Sequence, residues 1–228
     1  YHTHVYAVTI QTALHSVMEA DEAKRIAEEI GAIHKVIHVD ELEGAGIENN
    51  PVNRCYLCKK YMFTKVKELA HSLGISTILE GTNADDLKQY RPGIKAIKEL
   101  GLHSPLLEAN MTKKEIRALA AAYGLKAANK PSSPCLATRF PYHTLLNYEE
   151  MRKVEKIEDY LHACGFYNVR ARIHNDLVRL EIDQDAFMKC MDYSQEIVLF
   201  IKELGYDYVT LDLEGFRSGS QDIKLEEK

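Results

Sequence analysis

The sequence predicts an α/β fold with a doubly wound parallel sheet over residues 1–142, followed by a small α+β domain over residues 143–228. Three observations carry this. Short apolar runs alternate with amphipathic stretches as far as residue 80, the pattern of strands joined by crossover helices. The character changes after Tyr142, where helix, hairpin, helix and strand follow in turn. A length of 228 residues suits one large domain or two small ones.

Residues 5–10 form an apolar run fit for a buried parallel strand. A helix follows with Ala20, Ala23, Ile26, Ala27 and Ile30 on one face and Gly31 closing it. Residues 34–39 read as the next strand, and 43–53, rich in Gly and Asn and containing Pro51, as a loop. An amphipathic helix spans 61–73 and a further buried strand 76–80. Thr112-Lys113-Lys114-Glu115 is a capping box opening a helix that reaches Tyr123. In the second domain a helix runs over 148–163, a hairpin pairs 168–174 with 177–182, a helix covers 185–204 and a strand 208–211. The charged tail from Gln221 is expected to fray. The chain opens Tyr1-His2-Thr3-His4, without Met, directly before the first strand, and so reads as entered in mid-domain.

Composition excludes several classes. The hydrophobic share of 46% and charged share of 28% are those of a soluble globular protein. A net charge of −5 lacks the basic footprint of non-specific nucleic-acid binding, so no nucleic-acid partner is expected. No apolar run approaches the roughly 20 residues of a membrane span, so no membrane partner is expected either. Five cysteines without extracellular signals read as reduced thiols in a cytoplasmic protein.

The chemistry concentrates at three of those cysteines, in polar, loop-like sequence. Cys55 and Cys58 form a CxxC flanked by Arg54 and Lys59-Lys60, and Cys135 lies upstream of Arg139. Cations beside sulfur favour the thiolate, the form that ligates metal or attacks carbon. Two thiols plus a remote third fall one short of a closed tetrahedral site, which suits a reactive centre. A zinc half-site or a coincidence at a helix start accounts for the CxxC equally simply. Cys164 and Cys190 sit in apolar surroundings and read as small core residues, and no HExxH pattern is present.

Gly81-Thr82-Asn83-Ala84-Asp85-Asp86 falls at the carboxyl end of a predicted strand, where such sheets bind ligands. Backbone N–H groups there suit an anion, and the carboxylates suit Mg²⁺ or a ribose. The same hexapeptide also reads as a turn capping the next helix. Arg170 and Arg172 share one face of a strand. They are either a solvated face, with Glu181 as internal partner, or, with Cys135 and Arg139, a site for phosphate and carboxylate groups.

Three stretches in order, Asn50-Pro51-x-x-Arg54-Cys55-Tyr56-x-Cys58-Lys59-Lys60, Gly81-Thr82-Asn83-Ala84-Asp85-Asp86-x-x-x-Tyr90-Arg91-Pro92-Gly93 and Lys130-Pro131-Ser132-x-x-Cys135-Leu136-Ala137-x-Arg139-x-Pro141-Tyr142, resemble the LarE family. Ser104-Pro105-Leu106 and Thr210-Leu211-Asp212-Leu213-Glu214-Gly215-x-Arg217-Ser218-Gly219 extend the match. LarE proteins are ATP-dependent sulfur transferases of the PP-loop (N-type ATP pyrophosphatase) superfamily that build the nickel-pincer cofactor of lactate racemase. The resemblance implies adenylylation of a carboxylate of pyridinium-3,5-biscarboxylic acid mononucleotide, then conversion to a thiocarboxylate. It implies ATP and Mg²⁺ at Lys59, Gly81, Thr82, Asn83, Asp85 and Asp86, and active-site roles for Cys135, Arg139, Glu158, Arg170, Arg172 and Glu181. Some relatives donate the sulfur of one cysteine, at the place of Cys135. Others carry sulfide on a three-cysteine 4Fe-4S cluster, which Cys55, Cys58 and Cys135 would match. A trimer-based homo-oligomer, trimer or hexamer, is implied as well. The family's Ser-Gly-Gly-x-Asp-Ser PP-loop, expected before the first strand, is absent, so trimming is expected. A tRNA thiolase and a catalytically inert nucleotide- or metal-binding scaffold are the alternatives.

Overall fold

The computed structural model describes residues 5–15, 18–129, 134–217 and 219–221. Residues 1–4, the Lys130-Pro131-Ser132 stretch, Ser218 and the tail beyond Gln221 lie outside them. The chain forms two compact units, Tyr1–Ser132 and Ser133–Lys228. This boundary falls ten residues before the change of composition at residue 143. The reason is local: Leu136, Ala137, Arg139 and Phe140 are buried, and Arg139 is bonded to Glu158 within the second unit.

In the first unit, β1 (Tyr6–Gln11), α1 (Met18–Glu29) and β2 (Ile33–His38) make a parallel strand–helix–strand, with Tyr6 opposite Ile33 and Gln11 opposite His38. The expected third strand over 76–80 is not formed. Only a parallel bridge joins Leu79 to His103, with Glu80 N donating to His103 O at 2.9 Å. A two-stranded parallel sheet therefore stands among the described residues where a larger doubly wound one is expected. Neither strand is buried on both faces, because the flank of β1 looks onto a cavity, and Val36 on β2 is 41% exposed.

The expected loop at 43–53 begins inside a short helix, α2 (Glu41–Ala45), capped by the Asp40 carboxylate. The helix expected from residue 61 starts seven residues earlier, as α3 (Arg54–Ser72). Its start is built before the first turn: Arg54 N donates to Pro51 O at 2.8 Å and Tyr56 N to Asn53 O at 3.0 Å. The CxxC thus lies on helix rather than in loop. α4 (Gly93–Glu99), α5 (Pro105–Glu108) and α6 (Lys113–Ala122) follow, and the Thr112–Glu115 capping box opens α6 as expected.

In the second unit, α7 (Tyr148–Ala163) turns Met151, Val154, Ile157 and Leu161 inward, all fully buried. That spacing of three and four residues is one helix face. β3 (Val169–His174) pairs antiparallel with β4 (Leu177–Ile182), Val169 opposite Ile182. The single helix expected over 185–204 is interrupted at Tyr193 into α8 (Phe187–Asp192) and α9 (Ser194–Glu203). β5 (Tyr208–Leu211) then pairs parallel with β4, completing a mixed three-stranded sheet in the order β3-β4-β5. No helix is long and apolar enough to cross a membrane among the described residues.

Candidate functional site

The second unit holds an unusual concentration of buried charge. Arg139, Glu158, Arg170, Arg172 and Glu181 are each no more than 8% exposed. Burying an ion is tolerated only when partners replace its water, and the partners are specific. Cys135 caps a 3-10 turn, Leu136–Arg139, making an elbow. Its carbonyl accepts from Thr138 N at 3.1 Å, Thr138 Oγ1 at 2.8 Å and Arg139 Nη1 at 3.3 Å. Arg139 also donates to Pro134 O at 2.9 Å and reaches Glu158 with two bonds, 2.8 and 2.7 Å. That two-pronged geometry fixes the guanidinium plane. Glu158 in turn accepts from Ala171 N on β3 at 2.9 Å, so it ties helix, strand edge and elbow together.

Arg172 forms the second such pair, with Glu181 at 3.1 and 3.0 Å, and donates to Thr138 O. Arg179 reaches the same carboxylate at 3.2 Å. Arg170 lies beside Val169 O and over the Phe216 ring, 5.0 Å from its centroid. The solvated-face reading of Arg170 and Arg172 is overturned, since both are buried. Burial first, then the neighbouring Arg139, pushes Arg170 down to about 10. Three buried guanidiniums, Arg139, Arg170 and Arg172, face two buried carboxylates. Guanidinium groups gathered in this way suit an anionic ligand. Cys135 itself is half-buried.

The first unit contributes a cavity of about 870 Å³. Apolar side chains of β1 and α3 form its walls, and Thr12, His15, Lys59, Glu80 and Gly81 line it among the polar groups. Glu80 gathers these: it accepts from Thr82 N at 3.1 Å, Thr82 Oγ1 at 2.8 Å and Ser104 Oγ, with Lys59 Nζ at 3.9 Å. A Cβ on Gly93 would stand 2.6 Å from Lys59 Cδ, so glycine there lets α4 lie against the lysine stem. Of the predicted nucleotide residues, Lys59 and Gly81 line the cavity, and Thr82 is bonded to a lining carboxylate.

Asn83, Asp85 and Asp86 are placed otherwise. Asn83 and Asp86 form a capping box on a 3-10 turn, Ala84–Lys88, with Asp86 also paired to Arg91 at 3.1 Å. Asp85 accepts from Lys88 Nζ and Lys113 N, both at 2.9 Å, and the Lys88 hydrogen bond holds its carboxyl below the usual range. Every oxygen of both carboxylates is already engaged, so here the turn-capping reading describes the geometry.

Cys55 is exposed and Cys58 half-buried, three residues apart on the first turns of α3. Arg54 is no part of a basic rim: it is buried and donates to the buried Asn50. Cys164 is half-buried and Cys190 buried. Within each unit, no three His, Cys, Asp or Glu side chains gather as a metal site among the described residues. Sequence reading missed Glu80 and Ser104. A carboxylate ending an apolar run, next to Gly81, was the available signal.

No family model matches the chain. It is 37% identical, over 221 residues, to pyridinium-3,5-bisthiocarboxylic acid mononucleotide synthase of Lactiplantibacillus plantarum, covering 97% of this chain and 80% of that protein. The chain belongs to the LarE family. An uncharacterized protein of Synechocystis sp. is 38% identical over 203 residues, 88% of this chain and 76% of its own length. One of Methanocaldococcus jannaschii is 32% identical over 184 residues, 81% and 70% respectively. LarE membership thus rests on likeness over nearly the whole chain, and so over both units.

Proposed function

We propose that this chain inserts sulfur into a small nucleotide, pyridinium-3,5-biscarboxylic acid mononucleotide, on the way to the nickel-pincer cofactor. The observation that carries the reading is the Cys135 elbow, whose carbonyl is held by Arg139 inside a cluster of buried arginines and carboxylates. A substrate bearing a phosphate and carboxylates suits guanidinium groups held in this way. The pyridinium-3,5-bisthiocarboxylic acid mononucleotide synthase of Lactiplantibacillus plantarum supports this class of nucleotide.

ATP serves as co-substrate in this proposal. Carboxylate oxygen leaves poorly and AMP leaves well, so adenylylation prepares the carbon for sulfur. Lys59 and Gly81, at the polar end of the first-unit cavity, suit the nucleotide's phosphates. Asp85 and Asp86 would hold Mg²⁺ only beside the bonds they already make.

Cys135 takes part in either form of the reaction, as the sulfur donor in one and as a cluster ligand in the other. Cys55 and Cys58, on one helix face, present the paired thiols of a ligand set whose third member is Cys135. A 4Fe-4S cluster held by three thiolates would leave one iron open for the transferred sulfide. Anaerobic reconstitution with iron counting tests this version: about four irons per chain, lost in Cys55→Ala, are expected. Trace iron together with full sulfur transfer removes the cluster. In that case Cys135 should lose the mass of H₂S on turnover, and an unchanged mass with product formed defeats the proposal for Cys135.

A further inference from the structure

The proposed function leaves the chain beyond β5 without a task. Past Leu211 the backbone stays beside β4: Asp212 N donates to Leu180 O at 2.9 Å and Phe216 N to Ile182 O at 2.8 Å. Between those bonds it turns at Gly215, φ +71. A Cβ there would meet Gln184 Cγ at 2.8 Å and Ile182 O at 3.0 Å. Both the left-handed backbone and the close approach call for glycine. The turn sends the chain back across the charged cluster rather than out into solvent.

Three side chains beyond it then touch three parts of that cluster. The Phe216 ring lies 5.0 Å from the Arg170 guanidinium. Ser220 Oγ is 2.7 Å from Arg172 Nη2 and 3.1 Å from both oxygens of Glu181. Gln221 Nε2 donates to Phe140 O at 2.7 Å, and Phe140 is the residue that ends the 3-10 turn behind Cys135. Arg172 also holds the elbow through Thr138 O. The terminal segment therefore grips the elbow directly, through Gln221, and indirectly, through Ser220 and Arg172.

We propose that residues 215–217 and 219–221 form a strap in which Phe216, Ser220 and Gln221 are positioning residues, holding the arginine pair and the Cys135 elbow in one arrangement. None of the three is a reacting group. The proposal rests on Cys135 taking part in sulfur transfer, but the strap's grip on the elbow is measurable without any turnover.

The test compares the full chain with a Ser220→Ala/Gln221→Ala double variant by hydrogen exchange and by sulfur transfer. The amides of Thr138 and Phe140, which bond across the elbow, should exchange about tenfold faster in the variant, while those of α7 stay unchanged. In the same variant kcat should fall about tenfold with KM altered less than about twofold. Ser220→Thr, which keeps the hydroxyl, should restore the exchange and rate lost through Ser220. Elbow amides that exchange at the parent rate overturn the strap, and so does equal loosening of α7. Elbow loosening with parent kcat shows a structural tether only and overturns the positioning role. A parent chain that transfers no sulfur while its elbow still loosens in the variant defeats the functional reading and leaves the grip standing.

Discussion

The Gly81–Asp86 turn and the Cys135 elbow both set acidic or basic side chains around a tight 3-10 turn, yet they use charge in opposite ways. At the first, Asp85 and Asp86 are spent on local work: capping amides, Lys88 and Arg91, all at an accessible surface. At the second, Arg139 and Arg172 are 3% and 7% exposed and reach across helix, strand and turn to Glu158 and Glu181. Charges facing water exchange partners at little net gain, whereas buried ones are worth several kcal/mol to each other. Motif likeness marks both turns alike. Burial separates them.

The contrast fails outright if Cys135→Ala keeps sulfur transfer, because loss to background is expected; product thiocarboxylate measured by mass spectrometry decides. Next in size, Glu158→Gln should lower stability by about 3–5 kcal/mol by leaving the Arg139 guanidinium buried without its counter-charge. A urea denaturation midpoint shifted at constant slope would show it, and an unshifted midpoint would mean that the elbow does not depend on this pair. Arg170→Ala should weaken binding of the anionic nucleotide by about 1.5–3 kcal/mol in calorimetry, with the elbow intact. Equal affinity would take Arg170 out of the binding site.

Asp85→Asn should do least, changing nucleotide affinity by less than about twofold. Its folded carboxyl titrates below the ordinary value, chiefly through the Lys88 hydrogen bond. Any stability it contributes is therefore present above the unfolded value and lost as pH falls through the folded one. The substitution should flatten that acid-side slope alone. A large loss of nucleotide binding would return Asp85 to the ligand.

Legibility in the sequence followed the range of the forces involved. The helix over 148–163, the Thr112–Glu115 cap and the 168–182 hairpin were readable because caps, helical spacing and strand alternation act over a few residues. The helix was placed at 61 instead of 54, leaving a helix start at the CxxC as one alternative only, because α3 begins without a side-chain cap, on backbone bonds to Pro51 and Asn53. The strand at 76–80 was overcalled because its apolar run finds one bridging partner, His103, and a cavity elsewhere. Arg170 and Arg172 stood out by alternation, which places two side chains on one face but does not say what covers that face.

The residue order thus settled the α/β character, the succession of most elements and, through its ordered stretches, membership of the LarE family. Tertiary structure alone decided that Arg54 is an internal brace, that Asp85 and Asp86 are caps, and that Ser220 and Gln221 reach back to the elbow. The reason is that desolvation is a property of position in space: Gln221 and Phe140 stand 81 residues apart along the chain and 2.7 Å apart in the fold.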